Sequence, residues 1–102
     1  MKYTEDTKSF IKQRLIESLK QEQEIQKIII FGSFLYSENP GDIDIAVFQN
    51  SREAYLTLAM KYRRLTRDIS RQIPVDIIPI RADASPAGFL SEIEQGELLY
   101  ER

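Results

Sequence analysis

The sequence predicts an α+β domain, a mixed β-sheet with helices packed against it. Three observations predict it. Helix-period segments alternate with short β-branched runs, in the order α-β-β-α-β-α-β. The first two strands are joined through Asn39-Pro40-Gly41, a short turn that favours an antiparallel pair within a mixed sheet. The length of 102 residues suits one domain with one modest core, so residues 1–102 are expected to form a single unit.

Each element has a local reason. Residues 4–23 carry Ile11, Leu15 and Leu19 at four-residue spacing, an apolar helical stripe. Thr4 caps this helix, and Glu5 and Asp6 sit in the first turn, where the helix dipole favours acids. Residues 27–31 are short, apolar and β-branched, a buried strand that Gly32-Ser33 ends. Residues 42–48 alternate, with Ile43, Ile45 and Val47 on one side and Asp42, Asp44 and Ala46 on the other. Residues 51–72 return to the helical period, with Leu58, Tyr62, Leu65 and Ile69 facing inward. Pro74 precedes a third strand over 75–80. A loop over 81–87, a helix over 86–95 stopped at Gly96, and a short strand over 97–100 complete the chain.

Composition removes whole classes of chemistry. The chain has neither cysteine nor histidine, so disulfides, thiolate sites, Ser-His-Asp catalysis and His-ligated zinc are all excluded. Catalysis would rest on carboxylates, hydroxyls, Lys, Arg and bound metal. A net charge of −2 disfavours wrapping an extended nucleic acid, which requires a basic footprint. No apolar run approaches the roughly 20 residues of a membrane span. The first residues lack the apolar stretch of a secretory signal, so a cytoplasmic protein is expected.

Asp42 and Asp44 stand two apart on a strand, so both carboxylates point to one face. Alone, an Asp-x-Asp pair is usually a solvated sheet face. Asp76 shifts the balance, because it interrupts an apolar strand where an unpaired carboxylate is costly to bury. Three carboxylates on adjacent strands suit magnesium or manganese. Gly32-Ser33 after a buried strand lets a phosphate approach the backbone, and a helix starting near Ser33 would aim its amides at that phosphate.

The ordered motifs Ile28-Ile29-Ile30-Phe31-Gly32-Ser33-Phe34, Asp42-Ile43-Asp44-Ile45-Ala46-Val47 and Val75-Asp76-Ile77-Ile78 resemble the DNA polymerase beta-like nucleotidyltransferases. The chain is most similar to their minimal (MNT) type, and Phe89 to Tyr100 resembles that type's C-terminal pattern. The resemblance implies a polymerase-beta palm-like fold. It also implies transfer of a nucleoside monophosphate from a nucleoside triphosphate, ATP first among them, to an acceptor hydroxyl. It assigns Gly32 and Ser33 to the triphosphate, and Asp42, Asp44 and Asp76 to the metals, with Asp76 also activating the acceptor hydroxyl. Two departures stand out. Relatives carry Arg and Gly shortly after the Gly-Ser pair, where this chain has Phe34-Leu35-Tyr36-Ser37. They also place Ser before the first metal Asp, where this chain has Gly41.

The resemblance implies the antitoxin of a HEPN/MNT toxin–antitoxin pair, with a helical HEPN-type protein as partner and acceptor. A non-catalytic antitoxin or regulatory module that keeps the fold is the alternative. A tRNA- or antibiotic-modifying enzyme is a third reading, disfavoured because such enzymes carry extra domains. Self-association stays open. Arg63, Arg67 and Arg71, with Lys61 and Arg64 nearby, are read as a solvated helix face with Arg64 paired to Asp68. Tyr36, Tyr55, Tyr62 and Tyr100 are read as core or rim residues without a role in the site.

Overall fold

The computed structural model describes residues 2–83 and 90–102. The elements are α1 (Glu5–Leu19), β1 (Ile25–Phe31), a 3₁₀ turn (Ser33–Leu35), β2 (Ile43–Gln49), α2 (Tyr55–Leu65), α3 (Arg67–Ser70), β3 (Val75–Arg81), α4 (Leu90–Glu94) and β4 (Glu97–Glu101). The expected order holds, with two refinements. The helix expected over 51–72 is two helices broken at Thr66, whose buried hydroxyl donates to the Tyr62 carbonyl at 3.0 Å. That back-bond competes with the helical ladder and bends the chain. The first helix is also shorter than expected and stops at Leu19. The predicted helix start at Pro86 lies outside the described residues.

The four strands run in the order β3-β2-β1-β4. β1 pairs antiparallel with both β2 and β4, and β2 pairs parallel with β3, so the sheet is mixed as expected. Alternation divides its two faces. Ile28, Ile30, Ile43, Ile45, Val47, Val75 and Ile77 join Ile11, Leu15, Leu19, Leu58, Tyr62 and Ile69 in the main core beneath α1, α2 and α3. Phe31, Ala46, Phe48 and Ile80 form a smaller cluster on the opposite face with Ile93 of α4.

Thr4 caps α1 as expected, its hydroxyl accepting the Thr7 amide at 3.1 Å. Gly96 stops α4, its amide donating to Ile93 at 3.0 Å, but it is not in a left-handed cap; among the described residues only Gly32 has positive φ. Its missing side chain serves close approach instead. A Cβ there would lie 2.5 Å from the Ile30 carbonyl oxygen and 2.7 Å from Ile29 Cγ2.

One polar network ties α2 to the chain entering β1. The fully buried Tyr62 donates to Glu24 at 2.9 Å, and Lys61 reaches Glu24 at 2.7 Å and Glu22 at 3.0 Å. Burial alone would raise the Glu24 carboxyl, but the bonds from Lys61 and Tyr62 outweigh it and hold Glu24 below its ordinary value. Burial and the neighbouring Glu24 push the Tyr62 hydroxyl upward, so it remains a donor. A carboxyl whose folded value is lowered stabilises the fold above its unfolded value, and that stabilisation is lost as pH falls through the folded value. Glu24→Gln is therefore expected to destabilise the protein at about pH 7 by about 1–3 kcal/mol, and by less at about pH 3.5. Urea unfolding of both proteins at the two pH values measures this.

Candidate active site

The site forms where three strands meet. Phe31, the last residue of β1, pairs with Asp44 of β2, and Asp44 pairs in turn with Asp76 of β3. In a parallel pair, residues in register project to the same face, so the two carboxylates are neighbours. Asp42 precedes β2, whose first amide, Ile43 N–H, bonds to the Pro74 carbonyl at 2.8 Å and pins the strand starts together. Carboxylate oxygens of Asp42, Asp44 and Asp76 all lie within 4.8 Å of one another. All three acids singled out in the sequence therefore converge, on the sheet face opposite the main core.

Gly32 closes the site. Its backbone has φ 83° and ψ −161°, a region essentially reserved for glycine. A Cβ there would sit 2.5 Å from Asp44 Oδ2. The absent side chain is what lets the loop lie against the carboxylate. Ser33 follows, exposed, and its hydroxyl has no hydrogen-bond partner among the described residues. The helix expected from Ser33 is only a three-residue 3₁₀ turn, so the loop supplies a few local amides and no extended helix dipole. The Ser33 carbonyl accepts the Tyr36 and Ser37 amides at 3.1 and 2.8 Å.

Two contacts from the N-terminal segment anchor this loop. The buried Lys8 ammonium donates to the Ser37 carbonyl at 2.7 Å and lies 5.5 Å from the Phe34 ring centroid. The Tyr3 amide donates to the Glu38 carbonyl at 2.7 Å. Lys8 is a single cation on an otherwise ordinary helix, and its position in the sequence does not reveal this role.

The electrostatics are those of an acid cluster. Burial, then Asp42, Asp76 and Glu92, raise the Asp44 carboxyl from 3.8 to about 6, and a hydrogen bond with Asp76 adds to the effect. Glu92 comes from α4, far along the chain, and no sequence spacing links it to the other acids. Tyr36 also stands nearer the site than expected. It is 73% exposed, and with Phe31, Gly32, Glu92 and Gln95 it walls a cleft of about 140 Å³. Its hydroxyl donates to the Gln95 carbonyl at 3.5 Å.

The residues fit a hard divalent cation. Three oxygen donors converge, one of them forced above its ordinary proton affinity, and no ion pair to Lys or Arg neutralises them among the described residues. A divalent ion would relieve that repulsion.

The basic residues of α2 and α3 depart from expectation. Asp68 meets Arg71 at 3.6 Å and Arg14 at 4.0 Å, not Arg64. The helix break at Thr66 removes the i,i+4 relation that would have joined Arg64 to Asp68. Tyr62 and Tyr100 are buried and half-buried, whereas Tyr36 and Tyr55 are exposed. Among the described residues no helix is long and apolar enough to cross a membrane.

Comparison with curated proteins gives no match. Solved structures do match. One is a chain from the Shewanella oneidensis complex of a tri-AMPylated HEPN toxin with its MNT antitoxin. It is 22% identical, with a TM-score of 0.63, over 93% of this chain and 73% of its own. A chain of the MntA–HepT toxin–antitoxin complex is 20% identical, with a TM-score of 0.61, over 92% and 73%. A toxin–antitoxin structure with AMP-PNP is 22% identical, with a TM-score of 0.60, over 89% and 73%. At these identities the likeness is one of fold. The family described as polymerase beta, nucleotidyltransferase matches residues 13–102, nearly the whole chain. The chain belongs to the polymerase beta nucleotidyltransferase family.

Proposed function

We propose that residues 1–102 act as a minimal nucleotidyltransferase domain that transfers a nucleoside monophosphate, AMP from ATP in the first instance, to a hydroxyl of a helical HEPN-type partner protein. The observation that carries this reading is the convergence of Asp42, Asp44 and Asp76 beside the Gly32 loop, within a chain of this family. The pairing of its structural neighbours with HEPN toxins, one of them tri-AMPylated, supports the choice of partner.

Asp42, Asp44 and Asp76 would hold magnesium or manganese. When bound, such an ion neutralises phosphate charge and lowers the proton affinity of a coordinated hydroxyl. The remaining work falls to the chain. Gly32 and Ser33 bind triphosphate oxygens through backbone amides and the free Ser33 hydroxyl. Asp76, the most exposed of the three acids, takes the proton of the acceptor hydroxyl. The acceptor oxygen then bonds to the α-phosphorus as the bond to the leaving pyrophosphate breaks. Dependence on a nucleoside triphosphate pool fits a cytoplasmic site of action.

A second reading has one observation in its favour. The segment Phe34-Leu35-Tyr36-Ser37 stands where relatives carry Arg and Gly shortly after the Gly-Ser pair, so the loop itself brings no cation to the triphosphate. A binding module that neutralises its partner by contact alone would tolerate that loss. Intact mass spectrometry of the partner, after incubation with each nucleoside triphosphate and magnesium, separates the two. A nucleotide-sized mass increase with native protein, absent with Asp76→Asn, is the expected result. A partner that is neutralised yet unmodified with all four nucleotides establishes the binding module instead.

A further inference from the structure

We infer that the outer face of α2 and α3, at the β3 edge of the sheet, is a docking surface for an acidic amphipathic helix of a partner protein. Met60, Arg63, Arg64, Arg67, Pro74 and Val75 line a cleft of about 440 Å³ there. The surface is divided in character. Leu56 and Met60, one turn apart on α2, are 64% and 58% exposed, an apolar pair in water. Arg63, Arg64 and Arg67 continue the same stripe.

Among the described residues these three arginines have no acidic partner. Several cationic side chains elsewhere find partners: Lys12 meets Glu97, Lys61 meets Glu22 and Glu24, and Arg71 meets Asp68. Arg63, Arg64 and Arg67 make no ion pair among the described residues. Residues 84–89, between β3 and α4, contain no Asp or Glu that could reach them. An unpaired guanidinium trio on an apolar floor is complementary to carboxylates carried beside leucine- or methionine-like side chains.

A protein helix fits better than a nucleic acid strand. Arg63, Arg64 and Arg67 lie within five residues of one another and line a single cleft, a compact cluster rather than an extended track. A phosphodiester strand would leave Leu56 and Met60 facing its charges, and the chain as a whole is net acidic. The location suits an acceptor. Val75 lines the cleft, while its neighbour Asp76 projects to the opposite face of the same edge strand. A partner seated in the cleft touches Val75, the chain neighbour of the third carboxylate on the same edge strand. In that sense the inference rests on the transferase reading, yet it is tested separately.

The probe is a synthetic amphipathic helix with leucines on one turn and glutamates on the next two, followed by fluorescence anisotropy. Saturable binding that weakens with salt is expected. A roughly 10-fold or greater loss is expected with Arg64→Glu/Arg67→Glu, and with the same peptide carrying Gln for Glu. Calorimetry should show magnesium–ATP binding unchanged in that variant, which also reports that it is folded. Equal binding of the Glu and Gln peptides, no saturable binding, or tighter binding of single-stranded RNA than of the peptide overturns the assignment. Loss of magnesium–ATP binding in the variant also overturns it, because the arginines would then serve the nucleotide. Failure of nucleotide transfer with peptide binding intact would refute the transferase reading alone.

Discussion

Asp44→Asn is expected to abolish nucleotide transfer and, in the absence of metal, to make the protein more stable above about pH 6. The two effects share one cause. Asp44 lies among Asp42, Asp76 and Glu92, and burial followed by their charges raises its carboxyl from 3.8 to about 6. A carboxyl raised in the folded state binds its proton more tightly there than in the unfolded chain. Its ionisation therefore opposes folding: stability falls as pH climbs between 3.8 and about 6, and the whole penalty remains above that window. Asparagine has nearly the same shape and no charge to lose, so the variant escapes the penalty. Thermal unfolding in chelator should show the two proteins converging near the acid end of the window and the variant unfolding at higher temperature near neutrality. Magnesium should raise the native midpoint and leave the variant unmoved. Transfer should drop by about 10²-fold or more, because a proposed metal ligand is gone. A variant that transfers at the native rate would remove Asp44 from the machinery.

Gly32→Ala should damage fold and site together. Its φ of 83° and ψ of −161° would cost a non-glycine residue about 1–3 kcal/mol. The added methyl would also lie 2.5 Å from Asp44 Oδ2. Either the loop lifts away, taking Ser33 with it, or the carboxylate turns out of the cluster. Both movements separate the proposed triphosphate loop from the three carboxylates. Urea unfolding should show the stability loss, and calorimetry should show magnesium–ATP affinity falling by about 10-fold or more, as expected when a site is displaced by about 1 Å. Unchanged affinity would mean that Gly32 is needed for the turn alone.

Much of this molecule is legible along the chain because its signals are local. The alternation in Ile43 to Val47 set the two faces of β2, and the Asn39-Pro40-Gly41 turn dictated an antiparallel neighbour. The Asp42, Asp44 and Asp76 pattern was visible because carboxylates are costly within apolar strands. Local signals failed where a residue acts across the fold. Helical spacing predicts an Arg64–Asp68 pair, but the chain breaks its helix at Thr66 and Asp68 turns to Arg71 and Arg14. Tyr36 and Glu92 looked ordinary until the 3₁₀ turn and α4 brought both to the same cleft.

By itself, then, the sequence determined which residues lie on which face, that three carboxylates stand where they suit a divalent cation, and that histidine and cysteine chemistry is excluded. These follow from side-chain period and from residue type, which neighbours in the chain suffice to define. Tertiary structure alone decided that β2 and β3 run in register, Asp44 against Asp76, and that Gly32 presses against that pair. It also decided that Lys8 of α1 holds the loop, and that three arginines on α2 and α3 meet no carboxylate among the described residues. Strand register and charge pairing depend on distances between segments remote in sequence, and those distances exist only once the core has closed.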